Sequence, residues 1–306
     1  MSTLSLASVP PTVSEPEVNV RLNNPSSINL QCVLWICILV ICGFGLVGNG
    51  VVLWLFDFHV KRSTFAPYFL NLVVADFGIL VAGILGFYGA VVGNVPLLLP
   101  PSLLQLFLLM YMAGHLFLTA ISIERCVSIF FPAWHRCRRP AYLSPTLCVL
   151  IWLLSCLLSG FYFFRLIKVT RNSKLVLTPY YMTEFVCLLL MTISSLILFA
   201  HTGFKTQQRQ SGKLSAAILS TLFFSILLAS LFNVVFIVHF FQYVPAHAIL
   251  CGLLGVCLNS SVKPVIYFLV GRQTQGCVSM KVLLQRVFEE EEDSREGVEV
   301  SIPNQL

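Results

Sequence analysis

The sequence predicts an all-α membrane protein: a seven-transmembrane helix bundle with a short amphipathic cytoplasmic helix after span seven. Three observations carry that expectation. Charged residues are only 10% of the 306 residues, against about 25% in soluble domains. Hydrophobic residues reach 57%, with 25 Phe, and mean hydropathy is +0.87. A soluble fold has too little interior to hide that much apolar surface, so lipid is the solvent for much of it. Finally, seven apolar runs each reach the ~20 residues that a spanning helix needs.

In chain order the runs are Gln31 to Phe56, Ala66 to Val92, Pro101 to Phe131, Ser144 to Phe164, Tyr180 to Phe204, Ser215 to Tyr243 and Ala246 to Val270. They are long and lack the polar alternation of barrel strands, and the connections leave no room for a separate soluble domain. Residues 1–30 form an extracellular N-terminal tail and 31–270 the seven-span domain. Residues 271–288 read as an amphipathic helix on the membrane surface. Met280, Leu283, Leu284, Val287 and Phe288 share one of its faces, opposite Lys281, Gln285 and Arg286. Cys277 near its start is a palmitoylation candidate, an unmodified thiol being the plainer reading. Residues 289–306 form an acidic cytoplasmic tail.

Orientation follows the Lys/Arg bias of the loops. With the N-terminus outside, the inner loops hold Lys61 and Arg62, then Arg136, Arg138 and Arg139, then Lys205, Arg209 and Lys213; Arg272, Lys281 and Arg286 follow span seven. The outer loops hold only Arg165, Lys168, Arg171 and Lys174, all between spans four and five. The expected location is the plasma membrane, multi-pass, with the C-terminus in the cytoplasm. The net charge of +6 is spent on this bias, which excludes a general nucleic-acid binder. The first 30 residues have no cationic start and no continuous apolar core, so no cleavable signal is expected. No internal or inverted repeat of the transporter kind is visible.

Each ionisable group inside a bilayer costs about 2.5–3.5 kcal/mol on insertion scales, so each needs an account. Asp76 sits mid-span in Leu72-Val73-Val74-Ala75-Asp76, and Glu124-Arg125-Cys126 closes span three. Lys263 lies in Asn259-Ser260-Ser261-Val262-Lys263-Pro264-Val265-Ile266-Tyr267 of span seven. Asn49 follows Gly48 in span one, and Trp152 lies in span four.

These five features, in this order, resemble those of the rhodopsin-like G-protein-coupled receptors. The triplet with Val127-Ser128 and Pro132-Ala133-Trp134-His135-Arg136-Cys137-Arg138-Arg139-Pro140 closely resembles the Mas-related receptors, as does Tyr267-Phe268-Leu269-Val270-Gly271. The resemblance covers roughly Cys32 to Gly271. It implies a two-state switch in which span six swings outward and opens a cytoplasmic cleft for a heterotrimeric G protein. Glu124, Arg125, Cys126, Pro264 and Tyr267 are its expected coupling residues, with Arg125 paired to Glu124 at rest. Asn49, Asp76, Asn259 and Lys263 are the expected intramembrane polar network.

The departures from the family pattern are informative. Many rhodopsin-like receptors bind sodium beside the span-two Asp, with help from a span-three hydroxyl and an Asn before the span-seven Pro. Here those positions are Gly114 and Lys263, so an Asp76–Lys263 ion pair is expected in the sodium's place. A retinal Schiff base is rejected, because the opsin position is Cys257. Spans five and six contain no Pro, so a proline kink cannot be invoked; Asn233 or the Ser225/Ser230 pair would loosen span six instead. Mas-related receptors commonly lack the usual outer disulfide. Cys156 and Cys187 are the only pair near the alternative position, and both look too deep.

The amine-binding Asp of span three is replaced by Phe107. Outward charge is mainly Arg165, Lys168, Arg171 and Lys174, with Glu184 placed in the outer turn of span five. Four cations over one acid favour an anionic or carboxylate-bearing ligand, though a peptide also fits and the loop can equally be a solvated one. Phe107, Tyr111, Tyr162 and His247, with Phe161 and Tyr181, are candidate pocket residues, and aromatics at such spacings also serve as packing. His115 and His201 read as satisfied helix residues. No cofactor, metal spacing or enzymatic nucleophile–base pair is present. Other expected partners are membrane lipid and a second receptor in a dimer. Two other readings stand beside the receptor: a receptor-shaped protein that signals little and modulates a partner, and a small-solute transporter with Asp76 and Lys263 on its path.

Overall fold

The computed structural model describes residues 25–59, 65–92, 101–140, 142–167, 178–204, 212–241 and 245–272. Among these residues the secondary structure is helical throughout: α1 (Pro25–His59), α2 (Ala66–Val92), α3 (Pro101–Phe130), α4 (Pro132–Cys137), α5 (Leu143–Ile167), α6 (Thr178–Phe204), α7 (Gly212–Phe241) and α8 (Ala246–Arg272). All but α4 are long and apolar enough to cross a membrane, which makes this a multi-pass membrane protein. The spans thus run α1, α2, α3, α5, α6, α7, α8. Span one starts at Pro25, earlier than its apolar run, because Pro suits the first turn of a helix. The other ends move by a turn or less.

The short α4 is not announced by any apolar run. Pro132 begins it, and it closes when the Arg138 N–H bonds back to the Trp134 carbonyl at 2.9 Å. It folds the chain beneath α3 before α5 begins.

Lipid tails offer no hydrophobic drive between helices, so close packing and interhelical hydrogen bonds hold the bundle. α3 lies at its centre, packed on α2, α5 and α6. In α3, 67% of the most apolar stretch is buried, against 28% in α1, α5 and α6. Those peripheral helices turn Phe44 and Val47, Leu153 and Leu157, Phe185 and Leu196 outward to lipid. α8 packs between α1 and α7 and also touches α2. Gly45 permits the α1–α8 approach: a Cβ there would collide with the Ser261 hydroxyl and lie 2.8 Å from Leu80. That hydroxyl donates to the Ile41 carbonyl at 3.1 Å.

α8 continues through Pro264, although Pro removes the N–H that would bond to the carbonyl four residues earlier. That carbonyl belongs to Ser260. Asn49 of α1 replaces the missing donor: its Nδ2 donates to the Ser260 carbonyl at 3.1 Å and to Gly45 of its own helix at 2.9 Å. Gly48 beside it leaves room for the Pro264 ring, which a Cβ would approach to 3.1 Å. Across the bundle, Trp152 Nε1 of α5 donates to Asn71 Oδ1 of α2 at 2.8 Å. Its ring meets Phe117 of α3 edge-on at 5.7 Å.

Asn49→Ala strips the Ser260 carbonyl of its donor in a buried interface. It is expected to cost about 1–3 kcal/mol, read as a lower melting temperature of the solubilised protein.

Candidate functional site

Helical periodicity brings the charged residues of α2 and α8 face to face. In α2 the inward stripe is Leu72, Ala75, Asp76, Ile79 and Leu80; in α8 it is Val256, Ser260, Lys263 and Tyr267. Such spacing puts one side chain above another on a single helix face. Lys263 Nζ donates to both Asp76 oxygens, at 2.7 and 3.0 Å, with side chains 3% and 1% exposed. The fork neutralises both charges where neither could remain alone. Asn259 accepts from the Ser225 hydroxyl of α7 at 2.9 Å. Tyr267 packs edge-on against Phe69 at 5.5 Å, with Thr221 of α7 beside its hydroxyl. Asn49, Asp76, Asn259 and Lys263 thus lie on one seam joining α1, α2, α7 and α8.

The triplet at the end of α3 departs from expectation. Glu124 is held by the Arg139 guanidinium, with His135 Nε2 at 3.3 Å, and not by its neighbour Arg125. Arg139 also donates to the Ser144 hydroxyl at 2.7 Å. Consecutive residues point about 100° apart on a helix, so Glu124 faces the returning α4 segment while Arg125 faces α2. The Arg125 guanidinium lies 4.4 Å over the Phe65 ring, within cation–π range. Phe65 in turn stacks on His135 at 6.1 Å. Cys126 Sγ donates to the Ser194 carbonyl of α6 at 3.9 Å.

Glu184 is a second correction. It does not face outward but is buried between α3, α6 and α7, and its Oε2 lies 2.7 Å from His115 Nδ1. Asn233 of α7 donates to the same oxygen at 3.2 Å and accepts from the Tyr111 hydroxyl at 3.2 Å. His115 Nδ1 is met by a carboxylate two spans away, while its Nε2 is buried with no hydrogen-bond partner among the described residues. Asn233 stitches α7 to α3 and α6. Sequence reasoning missed this cluster; the signal was the presence of His115, Glu184 and Asn233 deep in three long, largely apolar runs.

Of the pocket candidates, Phe107 and Tyr111 are 1% exposed and stack at 6.2 Å, capped by Phe232. They are packing in this arrangement. His247 is half-buried. The side chains of Tyr162, Arg165 and Lys168 lie outside the described residues, as do Cys277, the surface helix beyond Arg272 and both tails. Cys156 is exposed and Cys187 buried, both as free thiols. Among the described residues no cluster could hold a metal.

No family model matches the chain. Mas-related G-protein coupled receptor member X1 of Homo sapiens is 34% identical over 271 residues, covering 83% of this chain and 82% of that protein. Member F of Homo sapiens is 31% identical over 286 residues, or 86% of this chain and 78% of the relative. The proto-oncogene Mas of Homo sapiens is 30% identical over 322 aligned positions, spanning 92% and 93% of the two chains.

Asp76→Asn or Lys263→Met alone leaves an unpaired buried charge and is expected to cost about 3–5 kcal/mol. The double variant removes both charges and recovers part of that loss. Simple additivity in a thermal-melt cycle would show that the two residues are not coupled.

Proposed function

Because the chain belongs to the Mas-related family of G-protein-coupled receptors and is itself such a receptor, we propose that it carries an extracellular peptide or small-molecule signal to a heterotrimeric G protein. In this reading it sits in the plasma membrane with its N-terminus outside. A ligand favours an arrangement in which α7 moves away from α3 at the α4 end and opens a cleft for the G protein. Arg125 and Tyr267 are the residues that change partners. The observation that carries the switch is the Asp76–Lys263 fork, 2.7 and 3.0 Å long, at the position where relatives of the rhodopsin-like class hold sodium. Gly114 offers no side-chain oxygen there, and the Lys263 ammonium acts as a tethered cation.

The engagement of Glu124 by Arg139 and His135 supports a restraint on α3 that runs through α4. An anionic or carboxylate-bearing ligand is favoured by the four cations Arg165, Lys168, Arg171 and Lys174, which span a connection without an acid. With Glu184 turned inward, no acid of α6 opposes them. One observation supports a second reading, a partner-modulating receptor with little signalling of its own: α7 runs unbroken from Gly212 to Phe241 without a proline. Receptor dimers and lipid contacts belong to that reading as much as to the first.

Basal G-protein activation is the deciding measurement, made in transfected cells at matched surface expression. The signal is expected to fall to background with Arg125→Ala and to shift with Lys263→Asn. Signal that survives Arg125→Ala unchanged argues for another coupling route. Replacing sodium by choline at constant ionic strength is expected to leave the melting temperature of the purified receptor unchanged; a sodium-specific rise would remove Lys263 from the cation's role.

A further inference from the structure

We propose that Cys42 and Cys257 form a redox site, a buried dithiol that closes into a disulfide and staples span one to span seven. The two residues lie on inward stripes of different helices. Cys42 stands seven residues before Asn49 in α1, and Cys257 six before Lys263 in α8. The pair therefore sits about 10 Å along the bundle from the polar seam. Each residue is 0% exposed. Their thiols share a hydrogen bond across the α1–α8 interface. Gly83 of α2 makes the space in which they meet: a Cβ there would lie 2.9 Å from Cys42 Sγ and 3.3 Å from Cys257 Sγ. Two helices each supply a sulfur, and the third supplies a bare backbone against which both fit.

The surroundings select the chemistry. Both thiols belong to one apolar cluster with Ile38, Leu80, Ala82 and Val256, and the charge of Lys263 further along α8 is already matched by Asp76. A lasting thiolate would put an uncompensated charge into that cluster, a costly state. A disulfide is neutral and has no hydrogen to donate, so it leaves neither a charge nor an unmet donor. The oxidant is a small uncharged peroxide, which enters an apolar interface more readily than an ion does. Attack by one sulfur breaks the O–O bond and yields a sulfenic acid and water. The second thiol then displaces the sulfenic oxygen as water and forms the S–S bond. Two thiols and one hydrogen peroxide become one disulfide and two waters; the sulfurs give up two electrons and two protons, and the peroxide oxygens take both. The bridge joins helices that Asn49 and Ser261 already fasten together, through the Ser260 and Ile41 carbonyls. It therefore reinforces the existing register of α1 on α8.

The test uses the full-length receptor in lipid nanodiscs, treated with hydrogen peroxide well below its melting temperature. It is then unfolded in alkylating agent and digested for mass spectrometry. A peptide pair joined through Cys42 and Cys257 is expected, lost on treatment with dithiothreitol and absent from Cys42→Ala and Cys257→Ala. Wild type whose two cysteines are recovered as alkylated thiols at every dose that leaves the receptor folded overturns the proposal, with no variant needed. Recovery as separate sulfinic acids, or joined to other cysteines, overturns it equally. The bridge closes a loop of roughly 200 residues and so constrains the unfolded chain. The melting temperature of the oxidised receptor is expected to rise by about 5 °C or more and to return on reduction. A bridged receptor that melts no higher than the reduced one overturns the stapling role. Neither readout involves a G protein, so failure here leaves the signalling reading to its own test.

Discussion

The fork between Lys263 and Asp76 is the contact on which the rest of the bundle turns. A lone charge at that depth in lipid is untenable, so α2 and α8 must meet at one register and one rotation, set by two bonds of 2.7 and 3.0 Å. Once α8 is fixed there, its proline falls against Gly48 and its freed carbonyl falls within reach of Asn49. The same rotation presents Asn259 to Ser225 and Tyr267 to Phe69. Four helices take their positions from one neutralised pair.

Around that pair the bundle spends its few polar side chains on interhelical bonds, a sensible use where apolar contact is no better with protein than with lipid. Trp152 reaches Asn71, Gln105 reaches Ser159, and Cys126 reaches the backbone of α6. Each bond is modest, about 0.6 kcal/mol on average for such contacts in membranes. Their value lies in specifying which helix faces which. They also concentrate along α3, so the most buried helix is the one through which movement of α6 or α7 is felt.

Two acids show how a receptor plan is adapted by rotation and by local folding. Glu124 belongs to a triplet whose Arg normally takes its attention, yet here α4 brings Arg139 and His135 underneath it. Arg125 is turned to the Phe65 ring instead. Glu184 could have decorated the outer mouth of the bundle, but α6 points it at His115. In both cases a carboxylate sits on the inner side of its helix because a cation or donor from another element waits there.

The sequence alone determined the number of spans and, apart from the start of α1 at Pro25, placed their ends to within about a turn, since lipid imposes a minimum length on an apolar run that no tertiary contact can alter. It also marked Asp76 and Lys263 as partners, through their places relative to Leu72 and Pro264 in recognisable motifs. Only the tertiary structure decided which way each helix faces. A span that is apolar on every side carries almost no rotational signal, so the sequence could not turn Glu184 inward or bring Asn233 to it. Nor could it foresee α4, a six-residue helix with no periodic run to announce it. These features arise where three or more chain segments converge, and convergence is a property of packing in space rather than of order along the chain.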